Sequence, residues 1–95
     1  MTNARSLGAM LGRTLLAWNL RRLRSERGLS QEKLAHDAGI DRAYLSELER
    51  ELGNPSLEVL DRLAATLQET HAELLRLPDE GAERPKNLAP GRRPK

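Results

Sequence analysis

Leucine recurs along this chain at helical intervals. Leu16, Leu20 and Leu23 fall at i, i+4 and i+7, with Arg21, Arg22 and Arg24 between them and Gly28 just beyond. That spacing puts the leucines on one face of a helix that the glycine ends. Upstream, Leu7, Leu11, Leu15 and Trp18 form a second stripe pointing elsewhere. It either extends the first helix back toward Ser6, exposing an apolar flank to a partner, or frays; the pattern leaves both open.

Ser30 is placed to cap a second helix through Asp37, with Leu34, Ala35 and Ala38 inward and Gly39 supplying the positive φ of a tight turn. Asp41 caps a third helix with Leu45 and Leu48 inward, and residues Leu52 to Pro55 read as a loop. Ser56 caps a fourth helix with Leu57, Leu60, Ala64 and Leu67 toward the core. Thr70 with Glu73 fits a capping box for a short fifth helix through Leu74 and Leu75, ended by Pro78. From Pro78 onward the only large apolar residue is Leu88, too little to offset the entropy of ordering. The expectation is an all-α, compact five-helix domain over residues 15–77. An N-terminal extension, 1–14, would precede it and a flexible basic tail, 78–95, follow.

Composition narrows the picture. With no Phe, one Trp and one Tyr, the core must be aliphatic, and the preponderance of Leu, Ala, Arg and Glu favours helix. Ninety-five residues build one domain with a modest core and little room for a catalytic cleft. The absence of cysteine rules out disulfides and thiolate metal sites. His36 and His71 lie on different helices, so no zinc site and no other cofactor is expected. Ser46 has no base beside it, and neither a phosphate-cradling glycine loop nor a paired-acid site is present, so an enzyme is not expected. No apolar run approaches the roughly 20 residues that span a bilayer, and the N-terminal stretch lacks a signal peptide's apolar core. The expected location is cytoplasmic, bacterial or phage type and nucleoid-associated, with no membrane contact.

The net charge of +2, from 16 basic and 14 acidic residues, says little about a partner, but its distribution says more. Residues 1–28 carry six Arg and one acid, residues 29–77 five basic and ten acidic groups, and residues 78–95 five against three. Positive charge collects at the two ends.

The most informative segment is SQEKLAHDAGIDRAYLSELER. Two short helices crossing steeply through a tight turn need a small residue where they meet, a glycine in the turn and apolar residues at fixed inward points. Ala35, Gly39, and the set Leu34, Ala38, Ile40, Leu45 and Leu48 satisfy these demands. The segment resembles the lambda-repressor and Cro-like helix-turn-helix family, the xenobiotic-response-element type. The resemblance covers roughly Leu16 to Leu75, including NLRRLRSERGLSQEKLA before the segment and NPSLEVLDRLA after it. In two places the chain departs from the pattern: Glu51 stands where the family usually has glycine, and Leu52 with Gly53 replaces a common basic pair.

The resemblance implies that the third helix enters the major groove of double-stranded DNA while the start of the second touches the backbone. Arg42 is the first candidate for base readout, because its fork matches guanine O6 and N7. Ala43 suits a thymine methyl, Ser46 either kind of base edge, and Glu47 cytosine N4, although Glu47 also reads as a solvated acid. Ser30 and Gln31, with the helix-start N–H groups, and Tyr44 and Arg50 are the candidate backbone contacts; Tyr44 also reads as a ring covering the core. Arg24 and Glu49 occupy positions that pair in the family across the first and third helices, a structural ion pair.

The function implied is a sequence-specific transcriptional regulator, a repressor or an activator, binding a two-fold operator as a homodimer. Its dimer surface is expected around Leu74, Leu75 and Leu77, or else along the Leu7 to Trp18 flank. The first-helix arginines and the tail would add nonspecific phosphate attraction. Two alternatives stay open: an antitoxin-type module that binds a protein partner and autoregulates through DNA, and a restriction-modification controller, which the compact size and the Arg42, Tyr44, Ser46 pattern resemble.

Overall fold

The computed structural model describes residues 11–79, 81 and 82. Five helices follow one another: α1 Gly12–Arg27, α2 Gln31–Ala38, α3 Arg42–Glu49, α4 Leu57–Leu67 and α5 His71–Leu74. No strand occurs among the described residues. A start of α1 near Ser6, the exposure of Leu7, and nearly all of the tail, Leu88 included, lie outside them.

Four helices stop in the same way. After α1, Leu29 N–H donates to Arg24 O (2.9 Å) and Gly28 N–H to Ser25 O (3.2 Å); after α2, Ile40 pairs with Ala35 (3.0 Å) and Gly39 with His36 (3.2 Å). After α3, Leu52 pairs with Glu47 (2.9 Å) and Glu51 with Leu48 (3.2 Å); after α4, Glu69 pairs with Ala64 (2.9 Å) and Gln68 with Ala65 (3.2 Å). This paired closure requires a left-handed residue. Gly28 (φ 64°) and Gly39 (φ 74°) supply it without cost, whereas Glu51 (φ 66°) and Gln68 (φ 58°) do so as L-residues. The departure from glycine at 51 is therefore a strained helix stop.

Helix starts follow the sequence in three cases. Ser30 Oγ accepts from Lys33 N–H (3.0 Å), Ser56 Oγ from Val59 N–H (3.1 Å) and Thr70 Oγ1 from Glu73 N–H (3.0 Å). Two details need correcting. Asp41 occupies the N-cap of α3, but its side chain makes no capping bond. Glu73 does not complete a capping box as drawn, because its carboxylate is taken by Arg22 at 2.6 Å and Arg76 at 3.3 Å.

The core is almost entirely leucine and alanine: Leu16, Leu20 and Leu23 of α1, Leu34, Ala35 and Ala38 of α2, Leu45 and Leu48 of α3, and Leu60, Leu63, Ala64 and Leu67 of α4, closed by Leu74. Leu57 was expected inside but is 76% exposed, and Leu63 is fully buried instead. Leu57 opens α4 one turn before Leu60, itself the most exposed core leucine at 8%, so the helix overhangs the edge of the core there. Leu74, expected at a dimer surface, is wholly buried beneath α5, while Leu75 and Leu77 remain exposed.

Asn19, a polar residue on the apolar stripe of α1, is buried and ties the two ends of the domain together. Its Nδ2 lies 3.0 Å from Leu74 O, 2.8 Å from Arg76 O and 2.9 Å from Leu15 O, and its Oδ1 accepts from Arg22.

Gln68→Gly relieves the left-handed strain at an exposed position. It is expected to raise unfolding free energy by about 0.5–1 kcal/mol, measured by urea denaturation; an unchanged or lowered midpoint contradicts the strain assigned to this helix stop.

Candidate nucleic-acid interface

α2 and α3 are hinged at Gly39. A Cβ there would stand 3.0 Å from Arg62 Nη1, and that guanidinium donates to Gly39 O at 3.4 Å. The left-handed backbone (φ 74°) demands glycine at the turn, while the flexible Arg62 side chain could move aside for a Cβ.

The far end of the hairpin is held by a buried ion pair. Arg24 Nε donates to Glu49 Oε2 at 2.6 Å and Nη2 to Oε1 at 2.7 Å, with both side chains about 1% exposed. Arg24 Nη1 also donates to Leu29 O at 2.9 Å, so one guanidinium braces the chain just before α2 and the last residue of α3. Gln31 Nε2 donates to Glu49 Oε1 at 3.0 Å, and Arg21 Nη2 to Glu49 O. Glu49 is thus gripped through its carboxylate and its carbonyl, and the cation at Arg21 also suits the negative end of α3.

With one face of α3 held in this way, its outer face is fixed. At about 100° per residue, Arg42, Ala43, Ser46, Glu47 and Arg50 share an arc of about 140°, while Leu45 and Leu48 are buried behind it and Glu49 is buried at its edge. Arg42, Ala43, Glu47 and Arg50 are exposed and Ser46 is half-buried. The four base-readout candidates therefore lie on one convex surface, together with Arg50. Tyr44 lies off the arc and is half-buried, packed against the core. Ser30 is half-buried, with its hydroxyl occupied in capping. Gln31 stands beside it, its amide engaged by Glu49.

The charge around the site differs from the expectation. Arg22 pairs with Glu26 and Glu73, Arg24 with Glu49, and Arg27 with Glu69 at 2.6 Å. These first-helix arginines are committed to holding helices together and offer little free field to phosphates. The reason is topological: α1 lies against α3 and α5, and acids at 49, 69 and 73 meet it there. Glu51 accepts from Thr14 Oγ1 at 2.9 Å, which turns its carboxylate toward α1. Both histidines are exposed, His36 beside Asp37 (3.4 Å) and His71 against Asp61 (2.6 Å). Among the described residues no cluster of three or more His, Cys, Asp or Glu could hold a metal ion, and no helix is long and apolar enough to cross a membrane.

Comparison with known proteins now bears directly on this hairpin. A family model described as helix-turn-helix matches residues 20–74, which include the whole of α2, α3 and α4. The chain belongs to the Cro/C1-type helix-turn-helix family of transcriptional regulators. It is 43% identical over 68 residues to an uncharacterised HTH-type transcriptional regulator of Sinorhizobium fredii, an alignment covering 72% of this chain and 88% of that protein. It is 41% identical over 68 residues to a hypothetical transcription factor of Neisseria meningitidis, covering 72% of this chain and 64% of the relative. The crystal structure of the Neisseria factor superposes with a TM-score of 0.67 at 40% identity, over 73% of this chain and 78% of that one. The restriction-modification controller C.AhdI of Aeromonas hydrophila superposes with a TM-score of 0.63 at 40% identity, over 65% of this chain and 94% of the controller.

Removing one partner of the buried pair leaves the other charge dry and unpaired. Arg24→Ala is expected to cost about 3–5 kcal/mol of stability, whereas the double change Arg24→Met, Glu49→Leu restores most of it. Urea unfolding of both variants checks this, and a single variant as stable as wild type contradicts the bracing role.

Proposed function

We propose that this helix-turn-helix regulator binds a two-fold DNA operator as a homodimer, with α3 in the major groove and residues 15–77 as the binding unit. The observation that carries the reading is the single outward arc of Arg42, Ala43, Ser46, Glu47 and Arg50 on a helix whose other side is anchored by Leu45 and Leu48 and whose last residue, Glu49, is buried at the edge of the arc. A rigid convex helix presenting mixed donors and acceptors suits base edges, and rigidity keeps the cost of binding low. In this reading Arg42 takes guanine O6 and N7, Ala43 a thymine methyl, and Ser46 and Glu47 the adjoining edges. Ser30, Gln31, Tyr44 and Arg50 lie against phosphates. The protein acts by occupying DNA and not by catalysis.

Dimerisation is part of the mechanism, because one module of this size buries too little surface for operator-level specificity. Its two α3 helices would enter successive major grooves about 34 Å apart. The two flanks that the sequence offers as alternatives meet at one groove. Leu11, from the first, and Leu75, from the second, line the same groove of about 390 Å³ together with Leu16, Pro55 and Leu60. Leu57 and Leu77 are also exposed. We assign this groove to the second copy. The controller reading is supported by C.AhdI, because this chain covers 94% of that protein; a two-fold site upstream of a restriction gene in the same genome would favour it.

Arg42→Ala is expected to lose about 1–3 kcal/mol on the selected duplex and to relax preference at one base pair. Fluorescence anisotropy on selected and scrambled duplexes checks this, and equal losses on both contradict the assignment. Leu75→Glu is expected to convert the dimer to monomer in sedimentation equilibrium and to weaken operator binding while half-site contacts persist. A dimer unaffected by Leu75→Glu contradicts the groove assignment.

A further inference from the structure

Gln31 is the first residue of α2, and resemblance alone casts it as a phosphate anchor. The structure gives its amide a different partner. Nε2 donates to Glu49 Oε1 at 3.0 Å, on the same oxygen that receives Arg24 Nη2 at 2.7 Å. Glu49 is the last residue of α3, so this hydrogen bond joins the two open ends of the hairpin opposite the Gly39 hinge.

We propose that Gln31 is a positioning residue for the readout helix: through Glu49 it couples the backbone-contacting start of α2 to the tilt of α3. The inference rests on the DNA-binding reading above. A primary amide has two hydrogens. One is directed at Glu49; the half-exposed position of Gln31 leaves the second for a phosphate oxygen. A phosphate that seats on Gln31 thereby fixes the amide, the amide fixes the Glu49 carboxylate, and Glu49 fixes the end of α3. A hydrogen bond to a charged acceptor is stronger than one between neutral groups. Arg24 and Gln31 divide the work. Arg24 neutralises Glu49 and holds the fold, whereas Gln31, half-exposed, can respond to DNA.

The test uses Gln31→Met, which keeps length and volume but has no amide, with Gln31→Ala as a second variant. Anisotropy is measured on selected and scrambled duplexes, alone and combined with Arg42→Ala. A phosphate anchor alone lowers binding equally on both duplexes, and its effect adds to that of Arg42→Ala. A positioning residue costs about three- to tenfold more on the selected duplex than on the scrambled one, and part of that excess disappears when Arg42 is already alanine. Equal losses with an additive cycle, or no loss on either duplex, overturn the proposal.

Amide hydrogen exchange on the DNA-free variant separates this failure from failure of the functional reading. Faster exchange over Leu45–Arg50 in Gln31→Met, with α1 and α4 unchanged, is expected whether or not the wild type discriminates between duplexes. Unchanged exchange there overturns the coupling. A wild type that binds both duplexes alike, with exchange in the variant altered as described, overturns the operator reading and leaves the coupling standing.

Discussion

The Arg24–Glu49 ion pair is the constraint from which the rest of the site follows. Two charges about 1% exposed persist in a leucine core only when each satisfies the other and the remaining donors find acceptors. Arg24 meets this condition through Glu49 and Leu29 O, and Glu49 through Arg24 and Gln31. Replacing the pair with leucines would bury as much apolar surface, but leucines slide, whereas a planar fork on a planar carboxylate allows one separation and one orientation. The pair therefore specifies where the end of α3 sits relative to the start of α2, while Gly39 specifies the other end. Held at these two points, α3 turns the same five side chains outward.

Charge is used sparingly beyond this. Most of the α1 arginines are joined to acids of α3, α5 and the α4–α5 connection, leaving the readout surface with Arg42 and Arg50 opposed by Glu47 and the nearby Asp41. A surface with so little net positive charge attracts phosphates weakly. In the proposed operator complex, discrimination would then fall to hydrogen bonds on base edges and to two copies acting together.

Much of this was legible in the sequence because glycine, the capping residues and leucine spacing each act locally. The three Ser and Thr caps, the hinge at Gly39 and the outward α3 residues depend on interactions within a few positions of one another. Arg24 with Glu49 came from resemblance; nothing in local spacing links residues 25 apart. What was misread depends on tertiary placement. Leu57 and Leu74 sit on similar apolar stripes, yet one overhangs the core and the other closes it, a distinction set by where α4 and α5 cross their neighbours. The pairing of Arg22 with Glu73 and of Arg27 with Glu69 likewise exists only once α5 and the turn before it dock on α1. Asn19 left one trace, a polar side chain at a stripe position, and its meaning appeared only with the carbonyls of Leu74 and Arg76 in place. At Glu51 the family's usual glycine is the one hint of a left-handed backbone, and Gln68 carries none.

The central claim is that the locked outer face of α3 is the surface that meets DNA. Backbone amide chemical shifts recorded while a selected duplex is titrated into labelled protein test it most directly. The account expects the largest changes at Arg42, Ala43, Ser46, Glu47 and Arg50, with a second group at Ser30 and Gln31 and little change across Asp61 to Ala65. Changes concentrated on α4 and α5, with the α3 arc silent, would contradict it.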